Sequence, residues 1–181
     1  MQHTGTINIQ TDRLVLRQIT IDDAQDLQTI LSNEQVQEYL SGIPANYTLE
    51  MAIDYIQNKL SRKYQNPEYY DWGIADRETN RLLGRITVYR QDNYRRMADL
   101  IWYIHPDGRG RGLMTEAGRA VIAHLQSLGF VRIEAYARQD NAASINVMRK
   151  LGMQYEGTLR RYDYNRDDTL YDADMYSIIN E

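Results

Sequence analysis

The sequence contains no cysteine. A disulfide framework, a thiolate metal site and a cysteine nucleophile are therefore excluded, and any group transfer must be direct or use another residue. Its three histidines, His3, His105 and His124, are too scattered for metal-ligand spacing, which argues against a zinc hydrolase. Proline is scarce, at three residues, and no linker, internal repeat or low-complexity tract divides the chain. No run approaches the roughly 18 consecutive apolar residues of a membrane helix. The opening Met1, Gln2, His3, Thr4, Gly5 lacks the charged and apolar regions of a signal peptide, so a cytoplasmic protein without membrane association is expected. An excess of positive charge is also missing. The net charge of -4 argues against bulk nucleic-acid binding, although 21 Lys and Arg leave room for a local basic patch that takes a phosphate-bearing ligand. One phenylalanine against 15 tyrosines points to half-wet aromatic surfaces.

What is present is an ordinary globular composition, 43% hydrophobic and 25% charged over 181 residues, sufficient for one well-buried domain. Residues 1–10 are expected to be a flexible N-terminus and 11–181 a single domain. Residues 13–18 alternate apolar and polar as a half-buried strand does. A helix opens on Ile21, Asp22, Asp23, Ala24, continues through Leu27, Ile30 and Leu31, and is broken by Ser41, Gly42, Ile43 and Pro44. A second helix runs from near Thr48 to before Asn66. Period-two patterns then place strands over 70–76, 82–90 and 96–104. A helical stripe follows through Leu113, Ala117, Val121 and Leu128, with Gly129 as its C-terminal cap. A strand carries Val131, Ile133, Ala135 and Ala137. Asp140 or Asn141 caps a short helix closed by Gly152, and tyrosine-rich strands over 153–164 and 169–179 end the chain. The order βααβββαβαββ gives a mixed, mostly antiparallel α/β sheet, with the strand-to-helix junctions near 104/110 and 137/141 as ligand positions.

The first junction reads His105, Pro106, Asp107, Gly108, Arg109, Gly110, Arg111, Gly112, Leu113, Met114, Thr115. Glycines at alternate positions let the backbone turn freely, and free N–H groups at a helix start beside two arginines suit a phosphate or pyrophosphate. It is not a Walker A loop, and Leu113 stands where a dinucleotide fingerprint needs its third glycine. The alternative is a glycine-rich turn with solvated arginines. The second junction carries Asn141, Ser144 and the ending Lys150, Leu151, Gly152.

Together, Arg-x-x-Gly-x-Met at 109–114 and Asn-x-x-Ser-x-x-x-x-x-Lys-Leu-Gly at 141–152 resemble the GNAT N-acetyltransferase superfamily. The run Glu156 to Arg160, then Tyr162, Asp163, Tyr164 and Asp172 to Ser177, with the opening Thr11 to Arg17, is similar to its RimJ/RimL branch of ribosomal-protein acetyltransferases. The resemblance spans about residues 11–179 and implies the GNAT fold, with splayed central strands and acetyl-CoA as cosubstrate. It implies that the backbone of Arg109, Gly110, Arg111, Gly112, Leu113, Met114 and Thr115 holds the CoA pyrophosphate. The strand Trp102, Tyr103, Ile104 would pair with the pantetheine arm, Asn141 would bond to it, and Ser144 would lie near the thioester sulfur. Dimerisation through the terminal strands or first helices is implied as well.

Two residues depart from the family pattern. Met114 replaces a Gly or Ala, and Met148 occupies the position assigned to the tyrosine that protonates the CoA thiolate, leaving Ser144, a backbone donor or water as the acid. A thiolate of pKa ~8.5 needs little help to leave. A protonated amine of pKa ~10 is almost fully charged at pH 7, so a base or a proton-conducting water is useful. Asp163, on the strand after the second junction, ranks ahead of Asp99, on the strand feeding the loop; either carboxylate could instead simply pair with an arginine. The acceptor reads as a protein N-terminal α-amine, with a cationic small molecule such as a polyamine as the alternative, suggested by Asp163, Asp167, Asp168, Asp172 and Asp174. A non-catalytic CoA-binding module and a nucleotide-binding protein remain as rivals.

Overall fold

A computed structural model describes residues 1–180. The elements are β1 Ile9–Gln10, β2 Leu14–Arg17, α1 Ala24–Leu31, α2 Glu34–Gln37, α3 Leu49–Asp54, α4 Ser61–Lys63, β3 Asp71–Asp76, β4 Leu82–Asp92, β5 Met97–Ile104, α5 Leu113–Ser127, β6 Arg132–Arg138, α6 Ala142–Lys150, β7 Gln154–Tyr164 and β8 Leu170–Ile179. The strands form one eight-stranded sheet in the order β1-β2-β3-β4-β5-β6-β8-β7. Every neighbouring pair is antiparallel except β5 and β6. Those two are joined by α5, because a parallel pair needs a long crossover. This is the mixed, mostly antiparallel α/β sheet expected from the order of elements in the sequence.

Apolar side chains cover both sheet faces. On one, Leu113, Ala117, Val121 and Leu125 of α5 pack with Ile145 and Met148 of α6 onto Trp72, Ile86, Leu100 and Ile133. On the other, Leu27, Ile30 and Leu31 of α1 pack with Ala52, Ile56 and Leu60. The second helix of the sequence reading is one helical run whose middle, Tyr55–Leu60, is a π turn between α3 and α4.

The start of the chain is bonded to the body of the fold. Gly5 N–H donates to Pro67 O at 2.6 Å, Thr6 Oγ1 donates to Tyr69 O at 3.0 Å, and Trp72 Nε1 donates to Ile7 O at 2.8 Å. Ile9–Gln10 then adds an edge strand to β2. A two-residue strand carries no periodicity, and these bonds join residues more than sixty apart in sequence, so local pattern is blind to them.

Two β-sheet irregularities shape the site. In β4, Val88 pairs with Leu100 but Arg90 pairs with Asp99, so Tyr89 bulges out and Arg90 is brought opposite Asp99. In β7, Leu159 pairs with Ala173 and Asp163 with Tyr171, so residues 160–162 loop outward with Arg161 at a φ of 50°. Tyr162 and Asp163 are thereby re-aimed relative to a regular strand.

Candidate active site

β5 and β6 form a fork. They pair only at Met97–Arg132, Ala98–Ile133 and Asp99–Glu134. Beyond that point β5 stays with β4 as far as Ile104–Gly84, while β6 stays with β8 as far as Arg138–Ala173. The parted strands open a cleft of ≈ 490 Å³ that runs from the loop after β5 to the β7–β8 turn. Exposure along β5 changes with the parting: Leu100 is buried, whereas Ile101 is 37% exposed in the middle of a central strand.

The loop end of the cleft is a helix start. Gly110 and Gly112 have φ of 71° and 75°, the left-handed region that favours glycine. Glu116 N–H is the first of α5 to find a helical acceptor, on Gly112 O at 3.0 Å; the preceding first-turn amides have none within the helix. A Cβ on Gly110 would meet nothing within 4 Å, and one on Gly112 only Arg13 Nη2 at 3.8 Å. Open space therefore faces free amides and a positive helix end, which fits a pyrophosphate. Glu116 braces the loop from behind, bonded to Arg13 at 2.7 Å and to Thr11 Oγ1 at 2.6 Å. Met114 is buried in the core and leaves the amides clear.

The second junction has Asn141 as the cap of α6, its Oδ1 accepting from Ser144 N–H at 3.1 Å. Asn141, Ser144 and Val147 line the cleft, whereas Met148, one turn after Ser144, is fully buried in the core. Of the sequence-chosen residues, Arg111 alone is not among the cleft lining; its carbonyl accepts from Arg13 Nη1 at 3.0 Å.

A strap that sequence reading missed roofs the cleft. Arg109 Nη2 donates to Gln35 O at 3.2 Å, Arg166 Nη1 donates to Gln37 Oε1 at 3.0 Å, and Arg138 lies 3.5 Å from Glu38 and 4.5 Å from the centre of the Tyr39 ring. Residues 35–39 thereby bridge the phosphate loop and the β7–β8 turn. A four-residue helix offers too short a pattern to be seen in sequence.

The two carboxylates differ. Asp163 Oδ2 accepts from Tyr136 at 3.2 Å and Tyr171 at 3.4 Å, and Oδ1 from Tyr164 N–H at 2.8 Å. Burial, then the neighbouring Asp163 charge, pushes the Tyr171 phenol up to about 12 and that of Tyr136 higher, so both stay protonated and donate. Asp99 is 5% exposed and stands at the fork. Its Oδ2 meets Arg90 Nη2 at 3.0 Å, while its Oδ1 is buried with no partner. Burial pushes its carboxyl up to about 6, opposed by Arg90 and assisted by Glu134.

That shift carries a stability cost. With a folded pKa raised above the ~3.9 of a free Asp, the contribution of Asp99 to stability is full below about pH 4 and is lost as pH rises through about 6. Asp99→Asn has no charge to bury. It is expected to melt higher than the wild type at pH 8, by at most about 3 kcal/mol, with the difference shrinking toward pH 4. Thermal melts at the two pH values read this directly.

The Acetyltransferase (GNAT) domain family matches residues 13–154. The chain belongs to the GNAT acetyltransferases. An N-acetyltransferase of Bacillus subtilis, YoaA, itself uncharacterized, is 36% identical over 172 residues, 94% of this chain and 96% of the relative. The GNAT fold is shared with the ribosomal-protein-S5-alanine acetyltransferase of Vibrio fischeri, at a TM-score of 0.81 and 18% identity over 97% of each chain. It is also shared with RimL, the ribosomal L7/L12 α-N-protein acetyltransferase solved with coenzyme A, at 0.82 and 19% over 96% of this chain and 98% of that one.

Proposed function

We propose that this GNAT protein moves an acetyl group from acetyl-CoA directly to a primary amine, and that the amine is a protein N-terminal α-amine of the ribosomal-protein type. The observation that carries the reading is the fork, which sets an open glycine-rich helix start on one side and a buried, half-partnered carboxylate, Asp99, at its base. The amides of Gly110 to Thr115 hold the pyrophosphate. The free edge of β5 from Trp102 to Ile104 orients the pantetheine arm, with Asn141 and Ser144 beside it. Asp99 takes the amine proton through a water lodged at its unpartnered Oδ1, backbone N–H groups stabilise the developing oxyanion, and Ser144 donates to the departing thiolate.

Asp99 ranks ahead of Asp163 here because a base needs spare acceptor capacity and a pKa near the working pH. Asp163 has three donors already. The acceptor assignment is supported by the RimJ/RimL-like segments and by the acetylated proteins named for RimL and the Vibrio fischeri enzyme. The polyamine alternative drew on a run of aspartates, three of which accept hydrogen bonds within the fold: Asp172 from Arg161 N–H at 2.8 Å, Asp174 from Thr158 Oγ1 at 2.7 Å and Asp167 from Thr169 N–H at 3.1 Å.

Initial rates varying acetyl-CoA and a peptide with a free α-amine test this. Intersecting lines, with the peptide preferred over spermidine, are expected for direct attack in a ternary complex. Parallel lines with an acetylated protein, or a preference for spermidine, would refute the corresponding half of the proposal.

A further inference from the structure

The Tyr89 bulge has placed a surface arginine against a buried carboxylate. Arg90 reaches Asp99 Oδ2 with Nε at 3.2 Å and Nη2 at 3.0 Å, and the same Nη2 donates to Tyr162 Oη at 2.7 Å. The Tyr162 ring is itself fixed, edge-on to Tyr136 with centroids 4.8 Å apart. The Arg90 side chain is 56% exposed and that of Asp99 7%, so the guanidinium keeps most of its hydration while its charge acts on a group that has lost its own. No other cation lies within ion-pairing distance of Asp99 among the described residues. The remaining groups around it do not compensate its charge. Glu134, opposite on β6, is an anion tied to Arg132 at 2.7 Å. Asp163 of β7 is held by Tyr136 and Tyr171, and Glu38 beyond α2 faces Arg138.

We propose that Arg90, clamped between Asp99 and Tyr162, is the positioning residue that keeps Asp99 ionised at the fork and thereby sets the pH above which acetyl transfer runs. This rests on Asp99 being the base. A carboxylate stripped of water and left with one unpartnered oxygen would otherwise hold its proton into the neutral range, and a protonated Asp99 accepts nothing from an ammonium. Burial alone already pushes it upward, with Arg90 as the principal opposing influence.

The test follows the Asp99 side-chain carboxyl by carbon NMR, assigned by its loss in Asp99→Asn. Alongside it, the pH dependence of thiol release from acetyl-CoA is measured with one peptide carrying a free α-amine. Since the peptide is common to all proteins, its own ionisation cancels between them. Arg90→Gln should raise both the carboxyl midpoint and the acid limb of the rate by about one pH unit or more. Tyr162→Phe should move both in the same direction by less, and Arg90→Lys should restore most of the wild-type profile. An unmoved carboxyl midpoint in Arg90→Gln overturns the proposal and leaves the role of Asp99 to be judged by Asp99→Asn itself. A midpoint that moves while the rate profile stays put overturns the proposal through its premise, because Asp99 would then not be the base.

Discussion

Asp99→Asn is expected to lower acetyl transfer by about 10²–10⁴-fold at neutral pH while leaving acetyl-CoA affinity almost intact. The carboxamide is the same size and occupies the same place at the fork, so the cleft and the loop keep their shape. What disappears is a proton acceptor. An α-ammonium of pKa ~7.7–8.0 is still mostly charged at pH 7, so without the base the reaction draws on the minor neutral fraction. That fraction is nearly complete by pH 9, so the loss should be partly recovered there. Asp163→Asn should behave differently. Its partners Tyr136 and Tyr171 can still donate to the amide oxygen, so the rate should fall less than about tenfold, with any effect carried by stability or by the apparent KM of a cationic acceptor. Steady-state rates of the two variants from pH 6 to 9 distinguish them. Full turnover in Asp99→Asn, with a pH-rescued loss in Asp163→Asn, would reverse the assignment.

Gly112→Asp is expected to weaken acetyl-CoA binding by about 10²-fold or more, read by calorimetry, with a far smaller effect on folding. At a φ of 75° most side chains are strained, but Asp is among the residues that tolerate this region best, and its Cβ would meet only Arg13 Nη2 at 3.8 Å. The fold therefore accommodates the change. The pyrophosphate would not, since a carboxylate at the helix start replaces attraction with repulsion and competes for the same amides; losing charge-assisted hydrogen bonds of about 1.5–3 kcal/mol each gives the expected factor. Unchanged affinity would remove the loop from the donor site.

The elements legible in the sequence are those whose pattern repeats. The long stripe of α5, the alternation through β5 and β6 and the glycine loop between strand and helix each announce themselves over many residues, which sufficed for the fold and for the two strand-to-helix junctions that line the cleft. The side of the cleft formed with β4 and β7 was less legible. The single extra residue Tyr89 in β4 reverses strand parity without any compositional mark, and so hid the contact of Arg90 with Asp99. The outward loop at 160–162 did the same for Tyr162. Asp99 and Asp163 look alike as letters; what separates them is burial and partner count, which only tertiary packing sets.

The central claim is that this cleft passes acetyl from acetyl-CoA straight to an α-amine. Mass spectrometry tests it most directly, after one turnover with acetyl-CoA and a peptide that carries both a free α-amine and an internal lysine. The account predicts a single acetyl on the peptide α-amine and an enzyme of unchanged mass. An acetyl left on the enzyme, or found on the lysine alone, would contradict it.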